Sequence, residues 1–414
     1  MKHIISIGTI GLILLLAIVF FSQKVESEQQ LSSLQLLSSA DADLIETTHF
    51  LADNNGRPSV LIQQRSRKAL LLTTDKNNAA SRIELAEENI VRSEVSSGGS
   101  WFALAELNQS PERTLEISVY NNSGAKQYTI LRPQPDDVQI PGLHLIEVDG
   151  SLIISDAANA LLYRYDNSGN LLQTITLFEE AEYDLERVVD VSVAAETGHF
   201  AVAAGKHASA PAGSASLKPD ADPQLFYFNK QGENQWTTAL DGYNTLKCEI
   251  APDASHIAVG SYTVYSDKAM HRVTAVVDNQ ANFVFSDDRL FKDAVFSADS
   301  RFLLLTENQY AQLVDLTNHD QDWEKNIPRE QGVILERSIR PNGGEVAFLV
   351  AKQIFQEDRF LFTNPQVLRI IDGELQNQRP VADSPAGVLA IGYAKDNSFQ
   401  MLLNNGVLST SREN

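Results

Sequence analysis

The sequence predicts an all-β fold: a seven-bladed β-propeller of four-stranded antiparallel blades, preceded by one amino-terminal transmembrane helix. Three observations predict it. One short turn sequence recurs along the chain, a second recurs downstream of most copies, and the copies lie on the order of fifty residues apart, the period of a propeller blade.

The first turn reads APDASHIAV around Asp253, SADSRFLLL around Asp299, RPNGGEVAF around Asn342 and EVDGSLIIS around Asp149. Weaker copies are AAETGHFAV around Glu196, SSGGSWFAL around Gly98 and AKDNSFQML around Asp396, which makes seven. Each follows a short apolar alternation, such as TLKCEI, FKDAVF, ILERSI or VLAIGY, and opens another. A strand, a polar turn and a return strand account for this pattern, because Asp, Asn and Gly tolerate the backbone angles of a tight turn.

The second turn follows an apolar residue in YNNSGAK from Tyr120, YDNSGNL from Tyr165, FNKQGEN from Phe228 and VDNQANF from Val277. β-formers resume after each, as in QYTIL, LQTITL and QWTTAL. These are hairpins between a third and a fourth strand. The last unit, from about residue 388, has room for only three strands, so its fourth must come from elsewhere in the chain. The stretches SVLIQQRSRKALLLTTD and SRIELAEE can supply it and close the ring, which removes exposed sheet edges. The alternative is an eighth blade built from residues 44 to 90.

The turns APDASHIAV and SADSRFLLL resemble those of WD-like propellers, and FNKQGENQWTTAL, with Trp236, resembles quinoprotein-type (PQQ-like) propeller repeats. The resemblance covers nearly all of residues 44–410. It implies the fold and leaves activity open, because propellers host enzymes, receptors and scaffolds alike.

Residues Ile4 to Phe21 carry no charge over eighteen positions. As a helix that run is about 27 Å long, enough to span a bilayer core. Lys2 precedes it, which keeps the short end (1–3) in the cytoplasm and sends the rest out as a signal-anchored domain. Cleavage near Val25–Ser27, giving a secreted protein, is the competing reading. Residues 22–43 read as a linker with some helical tendency, and 44–414 as the propeller.

The formal net charge of −21 repels phosphate backbones and anionic headgroups, which makes nucleic acid a poor partner and basic ones better candidates, while the plainer reading is that the acidic surface simply keeps the domain dispersed. The single cysteine, Cys248, cannot form an internal disulfide, and its alternation with Leu246 and Ile250 marks it as a core thiol. No HExxH, GxSxG, phosphate-binding loop or GxGxxG motif occurs, so no catalytic residue, cofactor or metal ligand is assigned. His199 and His256 fall at apolar-equivalent positions of return strands, and Trp101, Trp236 and Trp323 fall on strands where core packing is expected.

In a propeller the second-to-third-strand and blade-to-blade loops gather on one face. Here that face carries the long insertions: residues 107–113, 206–224, 262–271 and 352–366, with FEEAEYDLE at 178–186 between blades. Loops on a rigid scaffold are where binding is usually placed. Tyr262, Tyr265, Lys268 and His271 form one candidate partner-binding set, and Phe355, Arg359, Phe360 and Phe362 another. The plain alternative is that these aromatics pack their own loops onto the blades. The acidic run Glu179, Glu180, Glu182, Asp184 and Glu186 reads as a solvated loop. The expected function is a membrane-tethered, extracytoplasmic interaction propeller that docks a cell-envelope protein. The alternative is a metal-dependent hydrolase or lactonase with its site in the central channel.

Overall fold

The computed structural model describes residues 30–35 and 45–412, apart from the segments 52–58, 75–79, 87–88, 110–111, 135–138, 158, 179–184, 208–222, 241–243, 265–269, 290, 320, 357–358, 381–387, 395–396 and 404–406. The expected membrane helix at 4–21 lies outside the described residues, and among those no helix is long and apolar enough to cross a membrane.

The strands form eight four-stranded antiparallel sheets, so the count of seven is corrected to eight. Blade 1 is Ile45–Leu51, Ser59–Gln64, Ala69–Thr74 and Ala80–Ala86, the region expected to close the ring. Blades 2 to 7 begin at Ile90, Gly142, Leu185, Asn244, Asp293 and Val333, each with strands paired in chain order. Blade 8 takes Val388–Tyr393, Phe399–Leu403 and Val407–Arg412 from the carboxyl end. Its fourth strand, Gln30–Gln35, pairs antiparallel with Val407–Arg412, from Gln30 opposite Arg412 to Gln35 opposite Val407. The segment read as a linker is therefore the closing strand.

Eight apolar clusters fill the eight gaps between neighbouring blades. Leu152 and Ile154 pack against blade 2, while Ile153 packs against blade 4. Likewise Leu303 and Leu305 face blade 5, whereas Phe302 and Leu304 face blade 7. Strands buried on both faces read as continuous apolar runs, which is what LIIS and FLLLT are. Val60, Ile62, Leu70 and Leu72 of blade 1 meet Ala390, Leu402 and Leu408 of blade 8, and that contact closes the circle. Cys248 is a buried free thiol in the gap between blades 4 and 5, raised well above its usual pKa first by burial.

The repeated turns behave as their composition predicts. Asp149 Oδ1 accepts the Ser151 N–H at 3.0 Å, Asp253 Oδ1 the Ser255 N–H at 2.8 Å, and Asp299 Oδ1 the Arg301 N–H at 3.2 Å. The residue after each acid is left-handed, with φ of 74° at Gly150, 63° at Ala254 and 59° at Ser300. In the second turn Asp278 Oδ1 accepts the N–H groups of Gln280 and Asn282, both at 2.8 Å, and Asp166 does the same for Ser168 and Asn170. The tryptophans are half-buried and reach the next blade. Trp101 Nε1 donates to the Glu147 carbonyl at 2.9 Å, and Trp236 Nε1 donates to the Asn279 carbonyl at 3.0 Å. The His199 ring shares a 2.6 Å hydrogen bond with the Tyr227 hydroxyl, so it is a satisfied structural histidine.

Candidate functional site

The two rims of the ring differ. On the rim of the second-to-third connections, residues 352–356 and 359–366 are strand rather than loop. Glu345–Gln356 and Arg359–Ile371 make a hairpin whose strands, at 12 and 13 residues, are the longest among the described residues. The stretch was expected as an insertion, but its alternating β-formers (IF and RFLF) extend the ladder instead. Phe355 is opposite Phe360, and Gln353 is opposite Phe362. Because alternate residues share a face, positions 355, 360 and 362 fall on one side of the ribbon. Phe355 is 63% exposed and Phe362 50%. Arg359 is opposite Gln356 beside the tip.

The other candidate set sits on blade 5, two blades away. Tyr262 and His271 lie within paired strands rather than a loop, with Tyr262 opposite Arg272 and Thr263 opposite His271. Tyr265 and Lys268 lie outside the described residues, as does most of the acidic run at 179–184. The structure thus gathers the phenylalanine positions on one ribbon and leaves the tyrosine set on a separate blade.

At the opposite rim, where the tight turns lie, the channel mouth opens into a cavity of about 480 Å³. Seven of the eight blades line it, through the ends of their first strands and the turns that follow. Val193, Ile250, Val295, Phe296 and Ile339 form apolar wall, while Glu147, Glu196, Glu249 and Arg337 are its charged members. A second cavity of about 200 Å³ lies between blades 4 to 7 and shares Glu249 and Arg337 with the first. Asp190, Lys247 and Asp293 complete its charged lining.

The innermost strands explain why polar groups gather here. Each is a sheet edge, so its outward N–H groups need partners from outside the sheet. Asp190 Oδ2 accepts the Cys248 N–H at 3.0 Å, and Ser192 Oγ accepts the Ile250 N–H at 3.1 Å while donating to Glu249 Oε2 at 3.1 Å. Lys247 Nζ is 3.0 Å and Arg337 Nη2 3.2 Å from the same oxygen of Asp293. Both cations of this part of the channel therefore share one carboxylate.

Burial first, and the Asp190 charge second, push the Glu249 carboxyl up to about 7. Burial likewise raises Asp190 to about 6 and Glu94 to about 7. His144 moves the other way, to about 3, through burial and then the Arg92 charge, and its Nε2 lies 2.9 Å from Ser155 Oγ. Chemically, the mouth offers one carboxyl, Glu249, raised toward neutrality beside an apolar wall. Among the described residues no three His, Cys, Asp or Glu side chains converge as a metal-binding group.

In the sequence the long insertions stand out, whereas the turn-rim residues lie in short, ordinary-looking turns. One signal was present. The copies aligned at their turns place Glu147, Glu249 and Arg337 within a few residues before the turn acid or amide, Glu249 and Arg337 near the ends of first strands and Glu147 just past one. No protein-family model matches the chain, and no curated protein matches it.

Proposed function

We propose that this propeller is a non-enzymatic interaction module, tethered by its amino-terminal helix on the extracytoplasmic side of a membrane, which docks a basic cell-envelope protein. The observation that carries the reading is the long hairpin of blade 7, with Phe355 and Phe362 exposed on one face. Exposed aromatics on a rigid ribbon are the kind of anchor that dominates interface energy. The net charge of −21 supplies long-range attraction for a basic surface.

The test is crosslinking in intact envelopes, comparing the native chain with the double variant Phe355→Asp/Phe362→Asp. A discrete basic partner that is captured by the native chain, lost with the variant and weakened by added salt supports the reading. Equal capture by both chains removes the hairpin from it. Release of the native chain from membranes by carbonate at high pH removes the tether.

A further inference from the structure

The turn-rim cavity carries an inference independent of the docking reading. Its charges do not balance. Asp293 already engages both Lys247 and Arg337, at 3.0 and 3.2 Å. Glu249 has one hydroxyl donor, Ser192, and Asp190 has two backbone donors, the N–H groups of Cys248 and Val191. Neither carboxylate forms an ion pair with a described residue. Glu147 is occupied by the Ser96 hydroxyl and the Ser100 N–H, while Glu196 adds a further negative charge at the rim. Glu249 lies deep in the channel yet borders both cavities, with its second oxygen taken by no donor among the described residues.

Arg337 and Lys247 act on Glu249 only at a distance, being held by Asp293, and a carboxylate set deep in the channel with no cation in direct contact is unfavourable unless something supplies one. A bare metal ion does not fit, since three converging donors are lacking among the described residues. The volume of about 480 Å³ falls instead within the roughly 300–1,000 Å³ usual for organic ligands. Val193, Ile250, Val295, Phe296 and Ile339 provide the apolar lining that the body of such a ligand needs.

We propose that the channel mouth binds an organic cation with an apolar body, an ammonium or amidinium group seated against Glu249 and the body resting on the Val295–Phe296–Ile339 wall. A free amine and the basic side chain of a peptide share this chemistry. Binding favours the ionised carboxylate, so affinity weakens as pH falls below about 7, the value to which Glu249 is raised in the empty cavity. Asp190, Lys247, Asp293, Arg337, Glu147 and Glu196 are the other charged groups facing this space.

Calorimetry on the full-length chain with benzamidine, and with its neutral analogue benzamide, tests the site. The expected result is one benzamidine per chain, no measurable benzamide binding, and at least about tenfold weaker benzamidine binding in Glu249→Gln. The Gln variant removes a buried charge and keeps an acceptor for Ser192, so it remains folded, which a melting curve verifies. Equal binding of the two probes, equal binding by Glu249→Gln, or no benzamidine binding overturns the proposal. A second arm compares acetyl-Phe-Arg-amide with acetyl-Phe-Gln-amide: tighter binding of the arginine peptide than of benzamidine assigns the site to peptides, weaker binding to free amines. Phe355→Asp/Phe362→Asp retains benzamidine binding, so failure of the docking reading and failure of this one are distinguishable.

Discussion

At the residue scale the turns set sharp local demands. Gly343, in the turn of blade 7, has φ of 75°, and a Cβ there would overlap the ring of Phe302, which is fully buried between blades 6 and 7. Its neighbour Gly344 meets only Asn342 Oδ1 at 3.6 Å and has no positive φ. Gly343→Ala is therefore expected to destabilise by about 2–5 kcal/mol, a left-handed alanine plus an overpacked core, while Gly344→Ala changes stability by less than about 1 kcal/mol. Chemical denaturation of the two variants side by side checks this, and equal midpoints would show that the turn yields. Glu249 makes a demand of a different kind. Its folded-state pKa of about 7 exceeds the usual 4.5, so folding takes up a proton there. The resulting stability is full at pH values below the ordinary carboxylate range and is lost as pH rises through about 7. Glu249→Gln and the native chain should match in stability near pH 5. By pH 8 the variant should be the more stable, by on the order of 1–3 kcal/mol. A constant difference across that range would mean that Glu249 is ionised throughout.

At the element scale, the blade 7 hairpin can be tested apart from the blade that carries it. Lys352 and Thr363 are directly opposite one another, so replacing residues 353–362 by Asn-Gly leaves two residues between paired positions, the shortest favoured hairpin. The shortened chain should keep its melting temperature within about 2 °C, since none of the described side chains in this stretch, 353–355 and 362, belongs to an interblade cluster. A larger loss would show that the phenylalanines pack back onto the blades and are unavailable to a partner. The sequence made the phenylalanines visible as a group but not their arrangement. A run such as KQIFQEDRFLFTNPQ holds charges that read as loop, and only the register brings Phe355 opposite Phe360. The channel carboxylates were harder to see. Glu249, Asp190 and Glu94 lie on three different blades, and each looks locally like the polar half of an ordinary strand alternation. What distinguishes them is that eight first strands converge on one axis, which local pattern does not encode.

At the scale of the whole molecule, the turn repeat was legible because it is repeated chemistry, whereas the count and the closure were not. Between the first two strands of blade 1 the sequence ADNNGRP (52–58) departs from the repeated turn and is longer than the other copies, so the flanking apolar runs read equally as closing strands or as an eighth blade. The true closing strand, QLSSLQ, has only two leucines. Outer strands in this ring carry weak apolar signals generally: in Leu171–Thr176 only Ile175 is buried, and in Asn234–Ala239 no residue is. They lie at the periphery, where one face and one edge meet solvent. The closing strand is thus marked by its backbone pairing and not by an apolar pattern in its sequence. Six paired positions join Gln30–Gln35 to Val407–Arg412. At about 0.5–1.5 kcal/mol per hydrogen bond that ladder contributes a few kcal/mol. It also ties one end of the chain to the other, so that separating blades 1 and 8 requires breaking it. A chain beginning after Gln35 should melt several degrees below one beginning at Ser27. Its hydrogen exchange should rise first in Val407–Arg412, which becomes an open edge, and next in the blade 1–blade 8 gap around Leu402 and Leu408. Unchanged melting together with unchanged protection at Val407–Arg412 would mean that the ring is held shut by its interblade cores alone, with the amino-terminal strand an accessory to it.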